Sequence, residues 1–237
     1  MENQEQADLV EAARRSAVDF RLVLASRSPR RRSLLSDAGF VFATLPSEDG
    51  TEESNEDAAL APRDLVRKLA ESKAQNVARQ ISRRTADAQA AMAAFDRYPR
   101  LKSAPIWALG CDSVAEVAGE ILGKPRDRDD AERMLRTLSG SRHAVHTGVA
   151  LWSPTNLDAP ILSQTETSIL EMAPLSDARL ADYLASGQWE GKAGAFGYQD
   201  GVDWLRLVSG SESNVVGLPL EAFSRWTLAL LNGGAIQ

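Results

Sequence analysis

Four arginines, Arg27, Arg30, Arg31 and Arg32, fall within six positions of the stretch LASRSPRRRSLL, residues 24–35, together with Ser26 and Ser28. Guanidinium forks and hydroxyls converging on one point are donors for an anion. In GCDSV, Asp112 and Ser113 follow an apolar run, and a carboxylate there can accept a proton from water or orient a metal. LAESKA carries Lys73, and GEILGKP sets Lys124 between a glycine and a proline. WEGKAGAFGYQDG interleaves four glycines with Lys192, Phe196, Tyr198 and Gln199, a composition suited to close approach of backbone to a ligand. Plainer readings stay open at this point. The arginines also fit a solvated charged face or a nucleic-acid patch, Asp112 a turn, Lys124 the surface, and the glycines an ordinary loop.

The elements that must hold these residues alternate between strand and helix. FRLVLAS, residues 20–26, reads as a buried strand, and SPRRRSLLSDAGF as a helix with Ser28 as N-cap, Pro29 in the first turn and Gly39 as the stop. Cations in a first turn oppose the helix dipole, a conflict that a bound anion would resolve. LVRKLAESKAQNVA is an amphipathic helix carrying Lys73. The alanine-rich residues 82–103 lack an apolar stripe and read as a helical extension or insertion. IWALGCDSVAEVAGEILGKP predicts a strand ending near Asp112 and then a hairpin around Gly119. DRDDAERMLRTLSG is a helix burying Ala131, Met134, Leu135 and Leu138, with Gly140 at its end. Two strands, HAVHTGVALW and TETSILEM, a capped helix in SDARLADYLASG and the strand WLRLVSG follow. GSESNVVGLPL reads as a loop leading into a helix begun at Pro219, either building a second helix N-terminus at the site or capping its own helix through Ser213 and Asn214. The pattern is that of a mixed α/β chain with two lobes around an extended sheet.

Composition narrows the classes. At 237 residues, 43% of them hydrophobic, the chain is long enough for one large domain or two small lobes around a continuous core. A net charge of -6 argues against a general grip on nucleic acid, and nothing approaches a membrane-spanning run or a signal peptide. The single cysteine, Cys111, forms no internal disulfide, so a reducing cytoplasm is the expected compartment. Cys111 reads as an inert core residue, since no histidine is placed to activate it. His143 and His146, three apart on a strand, point to opposite faces and make no metal pair. A GxxxxGK[ST] phosphate loop is absent.

Taken together, LASRSPRRRSLL, LAESKA, GCDSV, GEILGKP, LSGSRHAVHTGVAL, GKAGAFGYQDG and SNVVGLPL resemble, in order and spacing, the Maf family of nucleoside triphosphate pyrophosphatases. The resemblance spans residues 21–231, leaving an N-terminal extension, residues 1–19, and an insertion near 83–104 outside the pattern. It implies an active-site cleft between two α/β lobes and hydrolysis of a nucleoside triphosphate to the monophosphate and pyrophosphate. It further implies dependence on a divalent metal, Mg²⁺ or Mn²⁺, and a homodimer in many members. Carried over residue by residue, it makes Asp112 the proton acceptor and Lys73 and Lys124 the catalytic lysines. Ser26, Ser28, Arg30 and Arg31 become the phosphate cradle. Of the acids in SEDGTEES, which include Glu48, Asp49 and Glu53, Glu52 is the one assigned a catalytic role, and Glu52 and Asp112 are the candidate metal ligands. Arg30, Ser113 and Gln199 stand at the places where family branches differ in base preference, and they resemble the dTTP and UTP branch. The alternative is a nucleotide-binding regulator of septum formation with little turnover.

Overall fold

The computed structural model of the chain describes residues 2–16, 19–48 and 59–233. Strand β1 (Arg21–Leu24) is the apolar run ahead of the arginines, buried from Leu22 onward. Helix α2 (Pro29–Asp37) starts as predicted: Ser28 Oγ accepts from Arg31 N and Pro29 fills the first turn. Gly39 follows with a left-handed φ of 76°, and β2 (Phe42–Thr44) then runs parallel to β1.

Helix α3 (Pro62–Arg83) contains LAESKA, and α4 (Ala86–Ala93) with a 3-10 turn at Pro99–Leu101 occupies the segment read as an insertion. Without an apolar stripe of its own, that segment still sends Ala88, Phe95 and Leu101 into the core beneath α3. Strand β3 (Ile106–Val117) corrects the expectation of a strand ending near Asp112. The antiparallel β5 (Arg142–Trp152) pairs with it from Ala108 to Glu116, so the ladder carries β3 straight through Asp112 and Ser113. The hairpin then turns at Ala118 and Gly119 into β4 (Glu120–Leu122). Helix α5 (Arg128–Leu138) buries the four apolar residues predicted for it.

After β6 (Leu162–Met172), α6 (Asp177–Ala185) and β7 (Leu205–Ser209), the stretch GSESNVVGLPL forms a helix of its own, α7 (Glu212–Val216), before α8 (Leu220–Leu231). Ser211 Oγ caps α7 by accepting from Asn214 N, and Ser213 Oγ accepts from Leu220 N at the start of α8. Of the two residues in the capping alternative, Ser213 caps α8 and Asn214 does not, because its amide is drawn into the sheet by β5 and β6.

The seven-stranded mixed sheet runs β2-β1-β3-β5-β6-β7, with β4 also paired to β3. Alternation along the strands divides the core between two faces. Phe20, Leu22, Leu109 and Leu151 pack under α2 and α8, while Val23, Ala108 and Ala150 pack under α3. Helix α1 (Glu2–Ser16) lies on α8, and its Ala13 is fully buried in the first of these clusters. A further cluster, with Ala115, Val145, Leu170, Phe196 and Trp204, fills the far end of the sheet under α5 and α6. Strands β3 and β5 pass through both ends, and these ends are the two lobes.

Candidate active site

On one edge of β3 two strands are paired at different heights. Parallel β1 covers Ile106–Leu109, and β4 covers Ala115–Val117. Among the described residues no strand covers that edge between Gly110 and Val114, which leaves a window in the sheet. The arginine turn and α2 leave β1 at this window, Asp112 and Ser113 form its floor, and the loop after β4 closes on it from the other side. A crevice where one strand ends and its neighbour continues is where open α/β sheets gather ligands.

Ser26 is buried, and its Oγ accepts from Ser28 N at 3.1 Å and from Arg31 Nη1 at 3.4 Å. Arg31 also donates through Nε to Gly217 O at 2.7 Å and through Nη2 to Ser113 Oγ at 3.2 Å. Arg30 crosses to the glycine-rich loop, its Nη2 donating to Gly191 O at 3.0 Å. Burial pulls the Arg30 guanidinium below its ordinary value, the like charge of Arg31 adds to this, and Asp200 opposes it. Arg27 and Arg32 are exposed. Helix α2 has no acidic residue in its first turn, and an anion bound there would add to what Asp200 supplies against the positive charge of Arg30.

Asp112 and Ser113 are consecutive on a strand and face opposite sides of the sheet. Asp112 faces α3, where Lys73 Nζ donates to its Oδ1 and both side chains are mostly buried. The approach of α3 depends on two glycines. A Cβ on Gly110 would stand 2.0 Å from Ala70 O, and one on Gly148, the cross-strand partner of Asp112, 2.1 Å from Val66 O. Lys124 is exposed in the loop past β4, two residues beyond Leu122, which pairs with Ala115, so the chain leads it back toward Ser113. Gly123 O in that loop accepts from Gly194 N at 3.0 Å, tying it to the glycine-rich segment.

The glycine-rich segment is stapled by its own side chains. Lys192 Nζ donates to Asp200 Oδ1 at 2.6 Å, Tyr183 OH donates to Asp200 Oδ2 at 3.0 Å, and Gly197 N donates to Tyr183 OH at 3.1 Å. Burial, with the Asp200 charge beside it, pushes the Tyr183 phenol well above its ordinary value. The close approach predicted for these glycines is in part internal. A Cβ on Gly197 would fall 2.1 Å from Asp200 Oδ2. Gln199 is exposed next to this staple and lines a pocket with Tyr198, Glu212 and Leu34, one helical turn along α2 from the arginines.

The structure thus brings Ser26, Ser28, Arg30, Arg31, Asp112, Ser113 and Lys73 to one window, with Gln199 across α7 from it. Glu52, with Asp49 and Glu53, lies outside the described residues; Glu48 is exposed, its backbone N donating to Asn76 Oδ1 at 3.1 Å. Cys111 is fully buried, which pushes its thiol up to about 11 and makes it the inert core residue expected. His143 and His146 separate as expected, one against Phe196 and the other hydrogen-bonded to Thr167. Sequence reasoning missed Thr147 and Gly217 and read Asn214 only as a cap, although all three buttress Arg31 and Ser113. The only signal for them was their place inside TGVAL and SNVVGLPL.

Residues 21–229 match the family described as Maf-like protein. Among curated proteins, the dTTP/UTP pyrophosphatase of Rhodopirellula baltica is 44% identical over 201 residues, covering 84% of this chain and 78% of that protein. The dTTP/UTP pyrophosphatase of Rhizobium johnstonii is 37% identical over 218 residues, covering 92% and 94% respectively. A solved HAM1 protein from Coxiella burnetii aligns with a TM-score of 0.44 at 18% identity, over 87% of this chain and 97% of that one. With the family match extending over all of the described sheet and the site motifs in place within it, the chain belongs to the Maf-like protein family.

Proposed function

We infer that this chain is a nucleoside triphosphate pyrophosphatase acting on dTTP and UTP, the substrates for which its curated relatives are named. The observation that carries the reading is the sheet window, where a cationic helix start meets an Asp112 carboxylate held by Lys73. Phosphoryl transfer asks for positioning and charge stabilisation more than for a covalent nucleophile, and this site offers both. Ser26, Ser28, Arg30 and Arg31 bind the phosphate oxygens. Lys73 fixes the Asp112 rotamer through Oδ1, leaving Oδ2 without a protein donor among the described residues. Asp112 Oδ2 takes a proton from water as the water oxygen bonds to phosphorus. The P–O bond of the α–β bridge breaks, and monophosphate and pyrophosphate leave. Lys124 neutralises charge that builds on the phosphates, and Glu52, in the segment before α3, is the second catalytic carboxylate.

Mg²⁺ or Mn²⁺ suits this donor set. Among the described residues no three His, Cys, Asp or Glu side chains converge. A hard ion held by one or two carboxylates and the substrate phosphates needs no such cage. The Asp112 and Glu52 carboxylates would hold it, and when bound it would offset phosphate charge. Among the described residues no helix is long and apolar enough to cross a membrane. The regulator reading is not favoured, since the relatives are named for hydrolysis.

The test is pyrophosphate release from dTTP, UTP, CTP and the purine triphosphates, with Mg²⁺, Mn²⁺ or chelator, for wild type and Asp112→Asn. Release from dTTP and UTP that falls about 10³-fold in the variant is expected. Binding without release in the wild type would sink the reading.

A further inference from the structure

Arg31, Ser113, Thr147 and Asn214 form a chain of polar contacts running inward from the window. Arg31 Nη2 to Ser113 Oγ is 3.2 Å, Ser113 Oγ to Thr147 Oγ1 is 2.9 Å, and Thr147 Oγ1 to Asn214 O is 3.0 Å. Each contact needs one proton. A guanidinium can only donate and a carbonyl can only accept, so the outer two contacts have fixed directions. Thr147 has one hydroxyl proton, and the Asn214 carbonyl takes it. The contact in the middle is then bridged by the proton of Ser113. Ser113 Oγ therefore gives its only proton inward, accepts one from Arg31, and keeps one lone pair.

The carbonyl at the end of the chain is well anchored. Asn214 is buried, with Nδ2 donating to Ser168 Oγ at 2.9 Å and to Val145 O at 3.2 Å, and Gly217 N donates to Asn214 O at 3.0 Å. Thr147 is fully buried and cannot touch a nucleotide, whereas Ser113 is partly exposed.

We propose that Thr147 is a specificity-determining positioning residue: it fixes the polarity of Ser113, so that Ser113 meets the ligand as an acceptor only. Such an oxygen favours a base whose ring edge carries N–H, as N3 of uracil and thymine does, over cytosine, whose N3 is a bare acceptor. Two facing acceptors leave both without a proton, and a site built to pair one partner rejects the other strongly. This rests on the nucleotide reading of the site given above, and it adds a physical reason for a uracil or thymine preference.

The test is calorimetric binding of α,β-methylene analogues of UTP, CTP and 3-methyl-UTP to wild type, Thr147→Val and Thr147→Ser. The wild type is expected to bind the UTP analogue about tenfold or more tighter than the CTP analogue, with the 3-methyl compound falling to the cytosine level. Thr147→Val, which keeps the shape but drops the hydroxyl, should bring the uracil-to-cytosine ratio close to one, and Thr147→Ser should restore it. The proposal is overturned if the ratio survives in Thr147→Val, if the 3-methyl compound binds as well as its parent, or if the wild type shows no ratio. Should Thr147→Val fail to fold, Thr147→Ala takes its place, where the same ratio close to one is expected and a surviving ratio overturns the proposal. Because binding is read without turnover, selective binding with no pyrophosphate release would refute the proposed activity and leave the role of Thr147 standing.

Discussion

Three segments hold the Arg31 guanidinium: the turn before α2 through Ser26, the middle of β3 through Ser113, and the end of α7 through Gly217 O. Of its five N–H donors three are committed, and two remain for phosphate oxygens. A lysine keeps the charge but cannot reproduce a planar fork. Arg31→Lys is therefore expected to raise KM for UTP by about tenfold or more while the fold survives, read by steady-state kinetics and circular dichroism. At this scale the cradle was legible, because Ser26, Ser28, Arg30 and Arg31 are neighbours in sequence and their chemistry is plain from type. Thr147 and Asn214 were not legible. Thr147 bonds partners 34 and 67 residues away, and a threonine in a strand reads as an ordinary β-former until the register is known.

Helix α3 lies so close to the sheet that its own carbonyls fill the places where side chains of Gly110 and Gly148 would stand. That seat sets the reach of Lys73 to Asp112. Gly148→Ala should push α3 outward, costing about 2 kcal/mol of stability in denaturant melts, and should lower kcat for pyrophosphate release by about tenfold with KM less affected. A kcat unchanged in a folded Gly148→Ala protein would separate the glycine from the site. The helices were read closely from capping and apolar spacing, as with α2 and α5. The end of β3 was misplaced because Asp112 and Ser113 look like a strand terminus. What carries the strand past them is the ladder with β5, a long-range partner that local pattern does not announce. Helix α7 was missed for a related reason: five residues are too few for a period, and its capping serine sits among other serines.

Across the whole molecule, the alternation of strands and helices gave the mixed sheet, while the strand order and the window on β3 needed long-range pairing to appear. The end of the sheet under α5 and α6 also carries a built-in acid sensitivity. Burial pushes His143 from 6.5 down to about 4, where its ring packs against Phe196. Above pH 6.5 the residue is neutral whether the chain is folded or not. As pH falls below that, the unfolded chain takes up a proton that the folded chain resists, so stability drops through the interval and levels off below about 4. The loss from this one residue amounts to about 3 kcal/mol. His143→Phe should flatten the decline of Tm between pH 6.5 and 4, and an unchanged slope would remove His143 as its cause.

Strands β3 and β5 each run from the cluster under α8 to the cluster under α5, so the two ends of the protein are joined by shared rungs of one ladder. Jaws built this way cannot swing apart without shearing a continuous row of main-chain bonds. Entry of nucleotide and exit of pyrophosphate must then be timed by side chains and loops, such as the Arg30 strap to Gly191, whose motions are far faster than the closure of hinged domains.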